Sequence, residues 1–501
     1  MVVPRPGIAR ARGRAATTVA GLAALGVLVA APAGGSLVPA SATPGPTNTD
    51  TTITDTTITP TPSAQPSPGP LPRDLATGDG SVPTLLAPRP PLPTAAGLAR
   101  VLDPLLSSPT LGKRVTAAVT DMSTDTLIYG HSPSTPMTPA STTKLGTIVA
   151  ALGRVGPETR FRTVVRRLQT APGQQASIVL VGGGDPLLAS SAGLALTRAR
   201  GYDIYPTVEH TATIDALADR TAKALKAGHV TRVALRYDDS LFTEPVSTHW
   251  RSIYVATSVV SPVSALWVDQ GRVRAPWATR VSDPSLDATR RFGALLARRG
   301  ITVSGTPTRI TTPGAAPEVA SVESAPLREI VQHVLLNSDN DGAEVIARQV
   351  AVAAGQRADF AGAAAAVAAE LRAFGIDLTD VRLYDGSGLS RDNRIPARTL
   401  VAILAVATAR PQLAAVLAGL PIAGFNGTLA GRFRGPAGGG AGWVHAKTGT
   451  LTGVSTLAGT VTTRNGAVLS YAFMADQVTA WVDARPALDR LAAALASCGC
   501  R

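Results

Sequence analysis

Hydrophobic and polar positions divide the 501 residues into stretches of different character. At the start, MVVPRPGIARARGR is basic, and an apolar run, TTVAGLAALGVLVAAPA, follows from Thr17. Ala40-Ser41-Ala42 then supplies a small-x-small site, so residues 1–42 read as a secretory signal peptide. An uncleaved anchor is the alternative, because the run is close to the lower length limit for crossing a bilayer. Both readings place the body of the protein outside the cytoplasm, secreted or held at the cell envelope. Residues 43–94 are rich in Pro, Thr and Ser and too poor in apolar positions to form a core, which predicts an extended linker.

Folding is expected to begin near Ala95, where AGLARVLDPLL has helical spacing of apolar residues. Lys113–Asp121 alternates as a strand, with Thr126–His131 as its hairpin partner. STTKLGTIVAALGRV returns to helical spacing, which puts Ser141 at or just inside a helix N-terminus. From 156 to 323 the pattern changes to short strands and loops (ASIVLVGG, TRVALRYD, ITVSGTPTRI) with one clear helix at Ile214–Ala227. Helical spacing resumes over Pro326–Leu336, Ala343–Ala354 and Ala358–Phe374. STLAGTVTT and AVLSYAFMAD flank Asn465-Gly466, a hairpin signal, and WVDARPALDRLAAALA predicts a closing amphipathic helix. Residues 95–155 and 324–501 therefore form one discontinuous domain, interrupted by a strand-rich insertion at 156–323.

Composition changes this picture little. The apolar fraction of 45% is ordinary for a globular protein. The net charge of +13 would fall to +9 without residues 1–42, which hold four arginines and no acid. That excess forms no Lys/Arg run, so nucleic acid is a poor partner, while weak peripheral attraction to lipid head groups or anionic wall polymers fits it. Cys498 and Cys500 are too few for a zinc site or a disulfide framework, although a local disulfide between them is open.

Three clusters carry chemistry. In Ser141-Thr142-Thr143-Lys144 the serine and lysine are three apart and share a helix face. A lysine kept neutral by burial or nearby positive charge can act as the base for a serine nucleophile; helix capping is the plain alternative. Ser338-Asp339-Asn340 lies between two helices and offers a hydroxyl to relay a proton and an amide to hold a backbone, although turns favour the same residues. Lys447-Thr448-Gly449-Thr450 opens a strand. Its lysine and hydroxyls suit a carboxylate, and Gly449 would let a substrate lie close to the strand.

S-x-x-K, S-D-N and K-T-G in this order are the signature of class A β-lactamases and penicillin-binding proteins. Ser141 and Ser338 are roughly 200 residues apart, more than the class A enzymes need. The spacing, with VGGGDPLL at Val181–Leu188, RYDDSLF at Arg236–Phe242, PVSAL at Pro262–Leu266 and YDGSGLSRDN at Tyr384–Asn393, resembles the class C low-molecular-mass penicillin-binding proteins. These are the D-alanyl-D-alanine carboxypeptidase/endopeptidase family. The resemblance implies an α/β (α+β) penicillin-binding transpeptidase-like, β-lactamase-like domain, with an antiparallel sheet flanked by helices. Two departures leave side-chain specificity open: the segment after Trp250 (RSIYVATSVV) lacks acidic residues, and the insertion is short for the family.

By resemblance, Ser141 attacks the carbonyl between two terminal D-alanines of a peptidoglycan stem peptide and Lys144 takes its proton. The backbone N–H groups of Ser141 and Thr450 form the oxyanion hole. Ser338, helped by Lys447, passes a proton to the leaving amine. Asn340 holds the peptide backbone, Thr448 and Thr450 bind the terminal carboxylate, and Arg391 meets a free carboxylate on the stem peptide's diamino acid. The resemblance implies no metal or organic cofactor, and β-lactam antibiotics as inhibitors that acylate Ser141. Two alternatives stand beside this. A secreted serine β-lactamase would need a deacylating base, and no Glu after Ser338 is placed as class A enzymes require. A non-catalytic wall-binding protein would have no reason to keep all four of Ser141, Lys144, Ser338 and Lys447.

Overall fold

The computed structural model describes residues 90–171, 173–199, 208, 210–479 and 481–500. The predicted signal peptide and the linker up to residue 89 lie outside the described residues. Five strands form an antiparallel sheet in the order Val444–Leu451, Val454–Thr462, Val468–Asp476, Arg114–Asp121, Leu127–His131. The Asn465-Gly466 hairpin pairs Thr462 with Val468 and Val454 with Asp476.

Side-chain alternation decides what covers each face. Tyr471, Phe473 and Ala475 pack with Leu98 and Leu102 of the Ala95–Leu106 helix and with Leu488 and Leu491 of the Trp481–Ser497 helix. Their neighbours Ala472 and Met474 face the opposite core, built on Thr143–Arg154, Leu327–Asn337, Asn340–Ala353, Phe360–Ala373 and Ala397–Ala409. Each large aliphatic side chain buried there contributes roughly 1.5–3 kcal/mol. Thr143–Arg154 is the central helix of that layer: every residue from Thr143 to Leu152 is buried. Ala397–Ala409 escapes the sequence reading because ARTLVAILAVATA is apolar almost all round, and a helix buried on all sides shows little periodicity.

A second sheet occupies the insertion, in the order Thr302–Arg309, Arg232–Asp238, Ser177–Val181, Arg162–Leu168, Glu318–Glu323. The middle strand pairs in parallel with Arg232–Asp238, which pairs in parallel with Thr302–Arg309. Parallel neighbours need crossover connections. Ile214–Ala227 supplies one, and Pro284–Arg298 supplies the other, a helix the sequence reading did not separate from the strands. Its start carries the expected signals, an Asp283 side chain capping Leu286 N–H and a proline at the first turn.

The loop-rich segment between those two crossovers ties the insertion to the rest. Phe242, Trp250, Val263 and Trp267 pack with Val345, Phe360 and Leu389. Trp250 also donates its indole N–H to Asp385 at 2.8 Å.

Candidate active site

The turn before the central helix brings the first pair together. Ala140 takes a left-handed backbone (φ 48°), and Ala140–Thr142 forms a single 3-10 turn running into Thr143–Arg154. Thr142 and Thr143 donate their hydroxyls to Pro139 and Ala140 carbonyls, at 2.7 and 2.8 Å. The Ser141 hydroxyl does not join this local bonding; it lies 3.0 Å from Lys144 Nζ. Gly449 and Gly388 make room for the turn. A side chain on Gly449 would meet the Thr456 hydroxyl and, at 2.7 Å, the Pro139 carbonyl, and one on Gly388 would strike the Ala140 carbonyl. The space at Gly449 is thus taken by the protein's own turn rather than by a ligand.

Lys144 is fully buried, and its other neighbours are Asn340 Oδ1 at 2.8 Å and the Ser387 carbonyl at 2.7 Å. Burial pulls the amine down to about 8, against the upward pull of Asp339, Asp385, Glu344 and Asp341. A neutral amine has two N–H bonds and one lone pair. Two carbonyl oxygens can only accept, so they take the N–H bonds and leave the lone pair for the Ser141 hydroxyl. The arrangement favours Ser141 as proton donor and Lys144 as base.

Ser338 ends Leu327–Asn337 in a left-handed conformation (φ 55°), and Asn340 opens the next helix. Two non-glycine residues at positive φ, Ala140 and Ser338, therefore flank the reactive groups, each at a cost of about 1–3 kcal/mol that the surrounding packing sustains. Lys447 Nζ donates to Ser338 Oγ and to the Thr448 carbonyl, both at 2.8 Å. Burial first, then the charges of Lys144 and Arg432, hold Lys447 well below the usual lysine range. Ser338 and Lys447 form a second hydroxyl–amine pair beside the first. Asn340 Nδ2 donates one N–H to the Val259 carbonyl at 3.1 Å, which together with Lys144 on Oδ1 orients the amide; its NH2 group carries a second N–H that can meet a substrate carbonyl.

Val444–Leu451 is an edge strand of its sheet. Its first half is covered, since Ala423 N–H bonds the Val444 carbonyl and Ala446 N–H bonds the Pro421 carbonyl, each at 2.9 Å. The cover stops before Lys447. Lys447 to Leu451 is left as a strand edge that can take an extended peptide by adding a strand, with Thr448 and Thr450 half-exposed along it. Thr448 Oγ1 also meets Thr428 Oγ1 at 2.9 Å. Arg391 donates to the Thr452 carbonyl at 2.8 Å, just beyond the end of this edge.

Several contributors have no readable signature. Ser387 acts through its backbone carbonyl, which no residue type announces. Asp339 occupies the N-cap position of the Asn340–Ala353 helix, but its side chain makes no capping hydrogen bond. It receives Gln270 Nε2 at 2.5 Å and lies 3.7 Å from His333 Nε2; burial raises its carboxyl, but His333 and the other donors hold it below the usual range. Asp341 receives Arg280 at 2.5 Å and the Ser261 N–H at 2.6 Å. The insertion thus grips the Ser338–Asn340 loop from outside. Among the described residues no group of three or more His, Cys, Asp or Glu is arranged to hold a metal ion.

Comparison with known proteins agrees with this geometry. Residues 98–277 and 274–495 match the D-Ala-D-Ala carboxypeptidase 3 (S13) family. The chain is 36% identical over 439 residues to carboxypeptidase DacB of Mycolicibacterium smegmatis, covering 86% of this chain and 90% of that one. It is 29% identical over 445 residues to a D-alanyl-D-alanine carboxypeptidase of Actinomadura sp., covering 75% and 82%. In fold it is similar to penicillin binding protein 4 of Haemophilus influenzae, with a TM-score of 0.63 and 21% identity over 81% of this chain and 98% of that one. With most of its length matched and a relative 36% identical over nearly all of both chains, the chain belongs to the D-Ala-D-Ala carboxypeptidase 3 (S13) family.

Proposed function

We propose that the protein hydrolyses the D-Ala-D-Ala bond of peptidoglycan stem peptides through an acyl-enzyme on Ser141. The observation that carries this reading is the orientation of Lys144, whose two carbonyl neighbours leave its lone pair for Ser141. Lys144 takes the Ser141 proton as Oγ attacks the carbonyl carbon. The tetrahedral oxyanion is stabilised by the Ser141 and Thr450 N–H groups, where losing one donor typically costs about 10²–10³ in rate. Ser338, bonded to Lys447, delivers its proton to the departing D-alanine amine and is resupplied with the proton that Lys144 took from Ser141, which leaves Lys144 neutral again for deacylation. Water then cleaves the ester and regenerates Ser141.

The stem peptide lies along the Lys447–Leu451 edge, with its backbone held by Asn340, its terminal carboxylate at Thr448 and Thr450, and a diamino-acid carboxylate within reach of Arg391. Cleavage of D,D-cross-links uses the same centre, because the broken bond has the same chemistry. Penicillin acylates Ser141 in place of substrate. Export under residues 1–42, with the linker 43–94 reaching from the membrane or wall, brings the enzyme to this substrate, and the basic surface adds weak peripheral attraction to anionic polymers.

The β-lactamase alternative is less well supported. Glu344 is the glutamate of the helix that Asn340 opens, but both its oxygens accept backbone N–H groups of Gly386 and Ser387. The test is release of D-alanine from a pentapeptide ending in D-Ala-D-Ala by wild type and Ser141→Ala. Release by wild type alone supports the proposal, and equal rates in both would overturn it.

A further inference from the structure

We propose that Glu344 is a positioning residue for acylation, clamping the Gly386–Ser387 backbone so that the Ser387 carbonyl points at Lys144 Nζ. The inference rests on the reading of Lys144 as the base for Ser141. Glu344 stands one turn beyond Asn340 on the same helix and is fully buried. Its Oε1 accepts the Ser387 N–H at 2.8 Å and its Oε2 the Gly386 N–H at 3.2 Å. The carbonyl of the peptide unit joining Gly386 to Ser387 is bonded from the other side by the Thr147 hydroxyl at 2.8 Å. That unit is therefore pinned at both ends, and the following carbonyl, that of Ser387, is the one 2.7 Å from Lys144.

The surroundings make a carboxylate necessary here. Two adjacent N–H donors face one side chain, and only a carboxylate offers two acceptor oxygens in that fork; an amide would turn N–H against N–H. A side chain on Gly386 would collide with Ala347 Cβ at 2.5 Å and the Ala343 carbonyl at 2.9 Å, so the loop must lie against the helix. Arg348, the cation one turn on, is 4.0 Å away and donates instead to the Glu244 carbonyl at 2.6 Å. The Glu344 lone pairs are left to the loop.

The charge is held at a cost. Burial first, then Asp385 across the loop, push the Glu344 carboxyl up to about 7, against the pull of its hydrogen bonds and Arg348. Lys144 faces it from the central helix and feels its charge.

The test measures acylation of the full chain by penicillin across pH, separating the acylation rate constant from the affinity of the preceding complex. Glu344→Gln is expected to lower the rate constant about ten- to a hundredfold, as a misaligned base does, with affinity within about twofold. Its ascending pH limb should also move to lower pH, because losing a nearby negative charge favours neutral Lys144. Thr147→Val releases the other end of the peptide unit without removing charge, so it should lower the rate constant with no shift of the limb. Tyr129→Phe, which loses a distant hydrogen bond to Asp103, should leave both values unchanged. The proposal is overturned if Glu344→Gln and Thr147→Val both acylate at the wild-type rate, or if their losses fall wholly in affinity. Should Glu344→Gln fail to fold, Thr147→Val decides alone. Absence of acylation in the wild type would instead remove the underlying reading of Ser141 and Lys144.

Discussion

The two five-stranded sheets have the same strand number and opposite uses. In the antiparallel sheet, Val444–Leu451 is an edge whose second half is left open, and buried Lys447 sits in it beside Ser338. In the insertion the edge Thr302–Arg309 is largely exposed and carries no reactive cluster. The difference comes from what meets the edge. The antiparallel sheet abuts the starts of two buried helices, which deliver Ser141, Lys144 and Asn340, whereas the helices of the insertion lie along its sheet as crossovers. The insertion instead reaches the chemistry through its loops, with Gln270 on Asp339, Arg280 and Ser261 on Asp341, and Val259 on Asn340. Its loops hold the Ser338–Asp341 segment in place, and the proposed reaction centre lies in the sheet domain.

The comparison can be tested from both sides. Lys144→Ala should have the largest effect, a loss of acylation on the order of 10⁴-fold or more, as when one member of a catalytic unit is removed. In the wild type the acylation rate should rise with pH through about 8 as Lys144 loses its proton. A rate flat from pH 6 to 9 would remove Lys144 from the base role.

Arg280→Met probes the insertion's hold on that segment and should have an intermediate effect. It leaves a buried Asp341 without its cation, and breaking such a pair costs about 3–5 kcal/mol. If the insertion positions the Ser338–Asp341 segment, acylation should also slow about ten- to a hundredfold. A fall in Tm with unchanged acylation would reduce the insertion to a passive appendage.

The smallest effect is expected at Asp185, inside the insertion and outside the three motifs. Burial pushes its carboxyl up to about 7, with only the Leu187 N–H pulling it down. A carboxyl raised on folding contributes stability below its unfolded value near 4 and loses that contribution as pH rises through about 7. Asp185→Asn keeps an acceptor for Leu187 and removes the charge. Its Tm should exceed wild type by a few degrees at pH 8 and match it near pH 4, with catalysis unchanged, as followed by thermal melts at both pH values.

Much of the site was legible because its reactive groups are side chains in short motifs whose helix and strand contexts follow from periodicity. Ser141, Lys144 and Asn340 meet through the Lys144 amine, Ser338 meets Lys447, and the Asn465-Gly466 hairpin forms where its turn residues place it. What was hidden is of another kind. The Ser387 carbonyl is backbone, and Glu344 becomes meaningful only when the helix from Asn340 is laid against a loop about forty residues away. Gln270 and Arg280 come from a segment with no periodic pattern. Ala397–Ala409 and Pro284–Arg298 were missed for separate reasons, the first for lacking a polar face, the second for lying among strands whose parallel pairing was not foreseen.

Ser141, activated by Lys144, is the proposed nucleophile. Incubation with penicillin followed by mass spectrometry of the intact chain and its proteolytic peptides tests it most directly. One covalent penicilloyl group is expected, on the peptide containing Ser141 and absent from Ser141→Ala. An adduct on another residue, or one that persists in Ser141→Ala, would contradict it.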